Sequence, residues 1–365
     1  MRTNFETAFN SIEERIEAID PVAYGKTRNF INGDVTYLSP YISRGVISTK
    51  QVMHAVLDKG YRPNQIEKFI QELAWRDYWQ QIWIAKSNAI DSDLKHPQPD
   101  IEFRGVPTAI IKGETGIEAI DAAIMEFYRT GYLHNHVRMY IAAICTNVAK
   151  CHWLEPAQWM YYYLWDGDWA SNALSWQWVA GSNSNKKYIA NQGNINKYCN
   201  SNQRGTFLDI SYEELATIDA PKELAEIDSF TLTTELPEGQ YLHIDSSLPT
   251  LIYNFYNLDP NWRADEDANR ILLLEPSHFT KYPVSSKSIE FALGLSNSIT
   301  GIQVFVGEFQ EMMDTYHPQD IFFKSHPTNQ HYQGTQVDRD WMFSVTGYFS
   351  SFFSFWKKCK KELTW

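Results

Sequence analysis

The segment DGDWASNALSWQW, residues 166–178, places two carboxylates, an amide and three indoles within thirteen residues. Carboxylates accept hydrogen bonds and balance cations, and indoles stack on flat rings or relay electrons. Acidic residues also stabilise the positive end of a helix, and this simpler interpretation puts a helix cap at Ser171 or Asn172. In the functional interpretation, Asp166 and Asp168 accept hydrogen bonds from the hydroxyl groups of a bound ligand.

A second chemical pattern lies in the segment FIQELAWRDYW. Helical spacing puts four of its residues on one face, namely Glu72, Trp75, Arg76 and Trp79. The plain alternative is a core stripe with a local Glu–Arg pair. A face made only for packing would favour aliphatic side chains, because buried charge is costly without a partner. The face therefore suits a pocket for a polar, flat ligand.

The motif LHNHVRM adds an amide and a cation. Asn135 and Arg138 lie three residues apart, so they project together from a helix, and Arg138 is a candidate partner for Asp166. His134 and His136 lack the spacing of a metal site, so no metal is expected.

The segment DVTYLSPYISRGVIS offers a possible phosphate contact. Thr36 and Ser39 come directly before Pro40, and Gly45 follows closely. Hydroxyls and free amides in such a loop hold phosphate groups. The signal is weak on its own, because the chain has neither a G-x-G-x-x-G motif nor a P-loop.

These motifs require helices to position them. Apolar residues at helical spacing predict a mainly helical domain over residues 1–205, including a helix that starts at a capping box of Thr115 and Glu118. In the C-terminal part, helical segments alternate with four short β-type runs, QYLHID, RILLLEP, IQVFVGEF and DIFFKSHP. We therefore predict a connection at 206–234 and a small α/β domain with a C-terminal helix at 235–365.

The formal net charge of −12 is unevenly distributed. Residues 1–205 carry 21 Lys and Arg against 21 Asp and Glu, whereas residues 206–365 carry 11 against 23, a difference of −12. This balance argues against a broad, non-specific nucleic-acid surface but allows a local basic groove in the first half. The acidic second half is a candidate contact surface for a protein partner.

Several signals point to a cytoplasmic protein without a membrane partner. The four cysteines lack C-x-x-C spacing, which indicates reduced thiols. The N-terminus lacks the apolar core of a signal peptide. No apolar run approaches the ~20 residues of a membrane span.

Taken together, five segments resemble the FAD-binding helical domain of the photolyase/cryptochrome family; in chain order they are TYLSPYISRGVIS, ELAWRDYW, TGIEAIDAAI, GYLHNHVRM and DGDWASNALSWQW. The resemblance covers about residues 20–200. It implies a U-shaped FAD in a helical bowl. It also implies electron transfer from light-excited, reduced flavin to a flipped-out pyrimidine dimer in DNA. The implied fold class is a mainly α domain of photolyase type, followed by the smaller α/β domain.

The resemblance assigns the cofactor contacts by position. The phosphate and ribityl contacts fall on Tyr24, Thr36, Tyr37, Leu38 and Ser39. The long helix would contribute Phe69, Glu72 and Arg76. The remaining polar contacts fall on Asn135, Arg138, Asp166, Asp168 and Asn172. Asp166 would be the ion partner of Arg138, Asp168 would meet a polar edge of the cofactor, and Asn172 would face flavin N5, where an amide is typical of photolyases.

The same resemblance assigns DNA and substrate contacts to Arg28, Trp75, His136, Met139 and Trp178. Trp75 and Trp178 would stack on the flipped bases, and Glu72 would hydrogen-bond the dimer and stabilise its radical anion. Arg28 would reach a phosphate beside the lesion. Met139 is typical of the cyclobutane-dimer branch of the family.

Three departures from the family pattern stand out. Trp176 and Trp153 match the two inner members of the family's electron-transfer chain, but the outer position falls near Asp100 and no Trp stands there. The electron-transfer chain would then reach the surface through other residues, and the candidates are Trp159, Trp165, Trp169 and the run Tyr161–Tyr163. The family's α/β antenna domain is not expected before the helical domain, and whether the later α/β pattern is its counterpart stays open. His136 replaces a basic DNA contact, which lowers the expected affinity for duplex DNA.

The leading hypothesis is an FAD-dependent, blue-light-driven lyase that repairs cyclobutane pyrimidine dimers in DNA, with single-stranded DNA as one form of substrate. The alternative is a cryptochrome-like flavin photoreceptor that signals to a protein partner through its C-terminal domain. A scaffold that has lost its flavin is disfavoured by the polar set of Asn135, Arg138, Asp166 and Asp168, because an abandoned pocket should not keep unpaired polar groups.

Overall fold

The computed structural model describes residues 4–363 of the 365-residue chain. Packing divides these residues into two compact units. The first unit comprises the residues up to 21, residues 36–85 and the residues from 233 onward. The second unit comprises residues 22–35 and 86–232. Each unit is therefore assembled from segments that are distant in sequence, and the domain boundaries expected from the sequence stay a prediction.

Most of the regular structure is helical. The α-helices of the described residues are α1 (Phe9–Glu17), α2 (Pro21–Thr27), α3 (Ser39–Ser43), α4 (Thr49–Asp58), α5 (Glu67–Lys86), α6 (Thr108–Lys112), α7 (Glu118–Thr130), α8 (Asn135–Ala143), α9 (Leu154–Tyr163), α10 (Trp169–Ala180), α11 (Gln192–Cys199), α12 (Tyr212–Leu215), α13 (Pro276–Lys281), α14 (Ser286–Ser296), α15 (Phe309–Tyr316) and α16 (Phe352–Cys359). Helix α8 runs on into a π-helical turn at Ile144–Val148. No helix in residues 4–363 is both long and apolar enough to cross a bilayer.

The strands form one larger sheet and one short pair. They are β1 (Val106–Pro107), β2 (Ile227–Asp228), β3 (Thr250–Tyr253), β4 (Asn269–Leu274), β5 (Ile302–Val306), β6 (Ile321–Lys324) and β7 (Thr335–Val337). The first unit holds a five-stranded parallel sheet in the order β5-β4-β3-β6-β7. Strands β3 and β4 are buried along their whole length, as the central strands of a parallel sheet must be. Strands β1 and β2 pair antiparallel in the second unit.

The core of the sheet explains its apolar sequence. Ile252 of β3 lies opposite Ile271 of β4. Both belong to a buried cluster that includes Phe323 of β6 and Phe309 and Met312 of α15. Burying such side chains contributes roughly 1.5–3 kcal/mol each. Helix α15 is thereby fixed on one face of the sheet.

Three of the four predicted β-type runs are strands, namely β4, β5 and β6. The run QYLHID is not a strand, although the Gln240 amide donates to the Val304 carbonyl of β5 over 3.1 Å. The Gln303 side chain accepts from the His243 amide over 2.7 Å and donates to the His243 carbonyl over 3.0 Å. Strands β3 and β7 escaped prediction, since β3 has only four residues and β7 is polar and largely exposed.

The predicted capping box of Thr115 and Glu118 is wrong. Helix α7 begins at Glu118 without a side-chain cap. The hydroxyl and the amide of Thr115 both donate to Asp121 Oδ1, over 2.6 and 2.8 Å. The Asp121 carboxylate, one turn into the helix, therefore accepts the hydrogen bonds of the Thr115 hydroxyl and amide, and Glu118 takes no part in them.

Candidate functional site

Two turns of the second unit meet beside the predicted cofactor residues. Helix α7 ends at Gly131, whose φ of 64° lies in the left-handed region. The Trp165 amide donates to the Gly131 carbonyl over 2.9 Å. A Cβ at Gly131 would come within 2.3 Å of the Trp165 ring, so both the conformation and the space require glycine. The contact joins the turn before α8 to the turn before α10.

Arg138 and Asp166 form the ion pair expected from the sequence. Nη2 of Arg138 lies 3.0 and 2.8 Å from the two carboxylate oxygens of Asp166, and Nε donates to the Leu133 carbonyl over 2.9 Å. The side chain of Asp166 is 1% exposed and that of Arg138 is 21% exposed. A carboxylate withdrawn from water needs such a partner, and the three bonds fix the plane of the guanidinium group.

Asp168 is the cap of helix α10, which corrects the predicted cap at Ser171 or Asn172. The helix begins at Trp169, and Asp168 Oδ1 accepts a hydrogen bond from the Ser171 amide over 2.7 Å. This bond satisfies a free amide of the first turn and stabilises the positive end of the helix. One oxygen of Asp168 thus has a structural task that does not depend on a ligand.

Asn172 is held by helix α9. Its Nδ2 donates to the Ala157 carbonyl over 2.8 Å. This bond orients the amide and leaves Oδ1 as an acceptor on a half-buried side chain. An oriented amide oxygen suits an N–H donor of a ligand.

Two histidines at the start of helix α8 have lowered pKa values. Burial lowers the pKa of His134 to about 4, and the nearby His136 and Arg138 act in the same direction. Burial and the charge of Arg28 lower the pKa of His136, whose ring stacks on Tyr198 at 4.6 Å. The lowered pKa favours the uncharged form of His136, where the resemblance implies a basic DNA contact. No group of His, Cys, Asp or Glu in the described part of the chain is arranged to hold a metal ion.

Two buried indoles of the second unit donate to carboxylates of one loop. Trp153 Nε1 donates to Asp93 Oδ1 over 2.8 Å, and Trp169 Nε1 donates to Asp91 Oδ1 over 2.7 Å. Trp153 is fully buried. The sequence analysis singled out neither carboxylate, although the two acids in the segment AIDSDL stand close together. Because an indole that loses an electron becomes positively charged, a carboxylate at its N–H stabilises the oxidised form.

Helix α10 separates its other two indoles. Trp176 is 2% exposed and Trp178 is 40% exposed, as expected for residues about 200° apart around a helix. The Trp178 ring lies 5.9 Å from that of Tyr188. On helix α8, Asn135 is exposed and Met139 is half-buried. The exposed indole is available for stacking, and the buried one is not.

The other predicted cofactor contacts lie in the first unit, apart from Tyr24, which lies in α2. Thr36 Oγ1 accepts a hydrogen bond from the Leu38 amide over 3.3 Å. Tyr37 adopts a φ of 53°, and Ser39 opens helix α3. The turn brings the hydroxyl groups of Thr36 and Ser39 close together in sequence, and its role as a phosphate contact stays a prediction.

On helix α5 the polar residues have partners of their own. Glu72 pairs with Lys68, one turn earlier, at 2.8 Å. Arg76 Nη1 donates to the Ser43 hydroxyl over 2.9 Å. Phe69 is a core residue, 2% exposed. Neither charged side chain of the predicted face is buried without a partner, which is the condition for keeping charge on such a helix.

The ring of Trp75 is stacked on an aromatic residue far away in sequence. Phe352 of helix α16 stacks on its ring, with centroids 3.8 Å apart and an interplanar angle of 11°. The chain itself therefore covers one face of the Trp75 ring, and the side chain as a whole is half-buried. The concentration of aromatic residues in YFSSFFSFW was the available signal.

Residues 339–363, the C-terminal segment, are anchored along helix α5. Lys360 Nζ lies 2.9 Å from Glu67 Oε1 and lowers the pKa of Glu67. Trp356 Nε1 donates to the same carboxylate over 3.3 Å, and Tyr78 Oη donates to the Phe349 carbonyl over 3.1 Å. These bonds hold Phe352 against Trp75.

Comparison with known proteins addresses the family. Residues 69–233 match the model of the FAD binding domain of DNA photolyase. A deoxyribodipyrimidine photo-lyase of Streptomyces griseus is 35% identical over 159 residues, which is 42% of this chain and 34% of the relative. One of Halobacterium salinarum is 30% identical over 176 residues, 46% of this chain and 37% of the relative. The chain spans about a third of the length of these curated relatives.

A solved cryptochrome of Synechocystis sp. PCC6803 is 21% identical, covers 53% of this chain and 44% of its own, and has a TM-score of 0.46. A score at this level adds no argument about the fold. The sequence match includes helices α8 to α10 and the Arg138–Asp166 pair between them. Residues 69–233 are therefore similar to the FAD-binding domain of the photolyase/cryptochrome family.

Proposed function

We propose that the protein is an FAD-dependent, blue-light-driven lyase that reverses cyclobutane pyrimidine dimers in DNA by electron transfer from reduced flavin. The observation that carries the proposal is the Arg138–Asp166 pair, in which a buried carboxylate holds a partly exposed guanidinium group within the family domain. A cation fixed in this way favours a ligand that gains electrons, because it stabilises the added negative charge.

The residues of the second unit fit the flavin ring. FAD, when bound, supplies the absorption of blue light and the transfer of single electrons. Asn172 Oδ1 suits the N–H group that reduced flavin carries at N5, because the other end of the amide is engaged by the Ala157 carbonyl. Asp168 has one oxygen fixed by the helix cap, which holds its carboxylate in one orientation. The phosphate contacts remain assigned to residues 36–39 by the resemblance.

Helix α5 supports the part of the proposal that concerns the substrate. The Glu72 carboxylate is 27% exposed and pairs with Lys68. Together they would offer the dimer a hydrogen-bonding group and a positive charge that stabilises its radical anion. Because Phe352 covers one face of Trp75, a flipped base would stack on the opposite face.

The experiment combines a spectrum with a repair assay. Purified protein is reconstituted with FAD, its absorption is recorded before and after blue light, and dimer content is measured in irradiated single- and double-stranded oligonucleotides. We expect a bound flavin that is reduced by light, and loss of dimers that requires light. Protein that takes up no FAD, or that loads FAD and clears no dimers, contradicts the proposal.

A pair of variants makes the repair assay specific. Glu72→Gln removes the carboxylate that orients the Lys68 ammonium group and should lower repair about tenfold or more, because that cation stabilises the radical anion only when it is held in place. Glu13→Gln is the control, because Glu13 is an exposed residue of helix α1. Bound FAD is measured in each variant, and repair is compared at equal flavin content, because Glu72 is also assigned to the cofactor. Equal repair by the two variants would show that Glu72 does not act on the dimer.

One observation favours a second candidate, a flavin photoreceptor. The C-terminal segment is stacked on Trp75, so a structural change at helix α5 would be transmitted to residues 339–363. A photoreceptor would show flavin photoreduction without repair, together with a light-dependent change in protease cleavage within residues 339–363. Identical digestion in light and dark would count against this candidate.

A further inference from the structure

The acidic half of the chain ends in a concentration of positive charge. Residues 206–365 contain 11 Lys and Arg, and four of these lie within residues 357–361. Of the 23 acidic residues in the same half, all but Glu362 lie at or before Asp340. The last helix therefore differs in charge from the rest of the half to which it belongs.

Helix α16 has two distinct faces. Its inner face is apolar and buried, and consists of Phe352, Phe355, Trp356 and Cys359. Its outer face carries Phe353, which is 69% exposed, and the exposed Lys357 and Lys358, with the exposed Lys361 in the next turn. Phe353 and Lys357 stand four residues apart, so the phenyl ring and the ammonium group project on the same side.

The outer face is held in place, and its charge is not neutralised. The ion pair between Lys360 and Glu67 ties down the end of the helix. Neither Lys357 nor Lys361 forms an ion pair within residues 4–363. Lys358 Nζ lies 4.9 Å from the centroid of the Phe349 ring. A fixed helix thus presents two uncompensated ammonium groups and an exposed ring.

We propose that the outer face of helix α16 is a DNA-binding surface, on which Lys357 and Lys361 contact phosphates and Phe353 stacks on a base. Regularly spaced phosphates attract such lysines, and every base offers a flat face to an aromatic ring. The inner face of the same helix reaches Trp75 through Phe352, so the surface adjoins the residue assigned to the lesion. The choice of DNA as partner rests on the proposed function.

The proposed surface is a source of phosphate contacts within the first unit. At His136 of the second unit, where the family resemblance implies a basic contact, burial and the charge of Arg28 lower the pKa and so favour the uncharged ring. An anionic lipid surface would also attract a basic helix with an exposed phenyl ring, but it would not need a helix seated on Trp75.

The test measures binding in the dark and without reference to repair. Fluorescence anisotropy of labelled, undamaged single-stranded and duplex oligonucleotides is recorded over a range of salt concentrations for wild type, K357A/K361A and F353A. The control is K281A/K287A, which removes the same two charges from exposed positions of the same unit. Vesicles with and without phosphatidylserine are tested in parallel. Circular dichroism and the flavin spectrum check that each variant is folded and loaded.

The expected result is specific to the two lysines. K357A/K361A should reduce the slope of log K against log salt by about 1.4 for single strands, at ~0.7 per lost phosphate contact. F353A should weaken binding about tenfold without changing the slope. K281A/K287A should match the wild type. Equal effects of the two double variants would overturn the proposal, and so would lysine-dependent binding to anionic vesicles without binding to DNA.

The outcomes also separate this proposal from the proposed function. Lysine-dependent DNA binding by a protein that clears no dimers keeps the surface and removes the repair activity. Light-driven repair that is the same in K357A/K361A and the wild type at every salt concentration keeps the repair activity and removes the surface.

Discussion

On helix α10, Asp168 and Asn172 bond to residues near them in sequence, whereas Trp75 on helix α5 is stacked on Phe352 from the C-terminal segment. On α10, Asp168 caps its own helix and Asn172 bonds to the adjacent helix α9. On α5, the C-terminal segment supplies the stacking ring and the ion pair that anchor the aromatic face. A motif whose supporting contacts lie nearby in sequence can be predicted from the sequence. A motif supported by residues far away in sequence cannot.

The C-terminal segment and helix α10 differ in their relation to the family match. Residues 69–233 match the family, and the C-terminal segment lies outside that match. Helix α5 thus combines family residues with a covering that the family match does not include. Changes in the α8–α10 region should therefore affect the flavin first, and changes in the C-terminal segment should affect helix α5 first.

The largest effect is expected at the buried ion pair. Arg138→Ala removes the guanidinium group that pairs with the Asp166 carboxylate, whose side chain is 1% exposed. Removing one member of a buried pair costs about 3–5 kcal/mol, so the free energy of unfolding should fall by that amount in chemical denaturation. The double variant Arg138→Met/Asp166→Leu should recover most of the loss. A double variant as unstable as the single one would show that packing, and not uncompensated charge, is responsible.

Phe352→Ala tests the other side of the comparison. It removes a ring that is 3% exposed and stacked on Trp75, and should lower the free energy of unfolding by about 3 kcal/mol. The matched control is Phe353→Ala, since Phe353 is 69% exposed and its loss should cost less than about 0.5 kcal/mol. Tryptophan fluorescence should shift only in the first variant. Similar losses in both would mean that the stacked ring does not anchor the segment.

Asp93→Asn tests whether Trp153 and Trp169, which both donate to a carboxylate, differ in their contribution to flavin photoreduction. Trp153 is assigned to the inner part of the electron-transfer chain, whereas Trp169 is one of several candidates for its outer end, and each donates to a carboxylate. Asp93→Asn removes the negative charge that stabilises oxidised Trp153, so flavin photoreduction should slow about tenfold, equivalent to about 1.4 kcal/mol. Asp91→Asn should leave the rate within about twofold of the wild type. Equal slowing would show that the route does not pass specifically through Trp153.

Much of the local design of the family domain was predictable from the sequence. The Arg138–Asp166 pair was implied by the family resemblance, and outside residues 69–233 three strands followed from apolar runs. The cap of α10 was misplaced by three or four residues, because Asp168, Ser171 and Asn172 are equally good caps and only the helix start distinguishes them. The Phe352–Trp75 stack was out of reach, because no local pattern encodes which aromatic residues pair across the chain.

The smallest expected effect is on the pH dependence of stability. The pKa of His134 in the folded protein is about 4, below the ordinary value near 6.5. Above pH 6.5 the group is neutral in both states, and below it the unfolded chain takes up a proton that the folded protein does not. Stability is therefore lost as the pH falls from about 6.5 toward 4, by up to about 1.4 kcal/mol per pH unit for this residue.

His134→Gln should remove that part of the slope, amounting to about 1 kcal/mol between pH 7 and 5.5, whereas the exposed His54→Gln serves as the control. Denaturation curves at several pH values provide the measurement. In the first unit, burial lowers the pKa of His278 to about 3 and lowers that of His326 as well. Because of these two residues, the His134 variant still loses stability as the pH falls. The slope of stability against pH should therefore become smaller without vanishing. An unchanged slope would mean that His134 takes up its proton without unfolding, and that the α8 region is more open than its burial indicates.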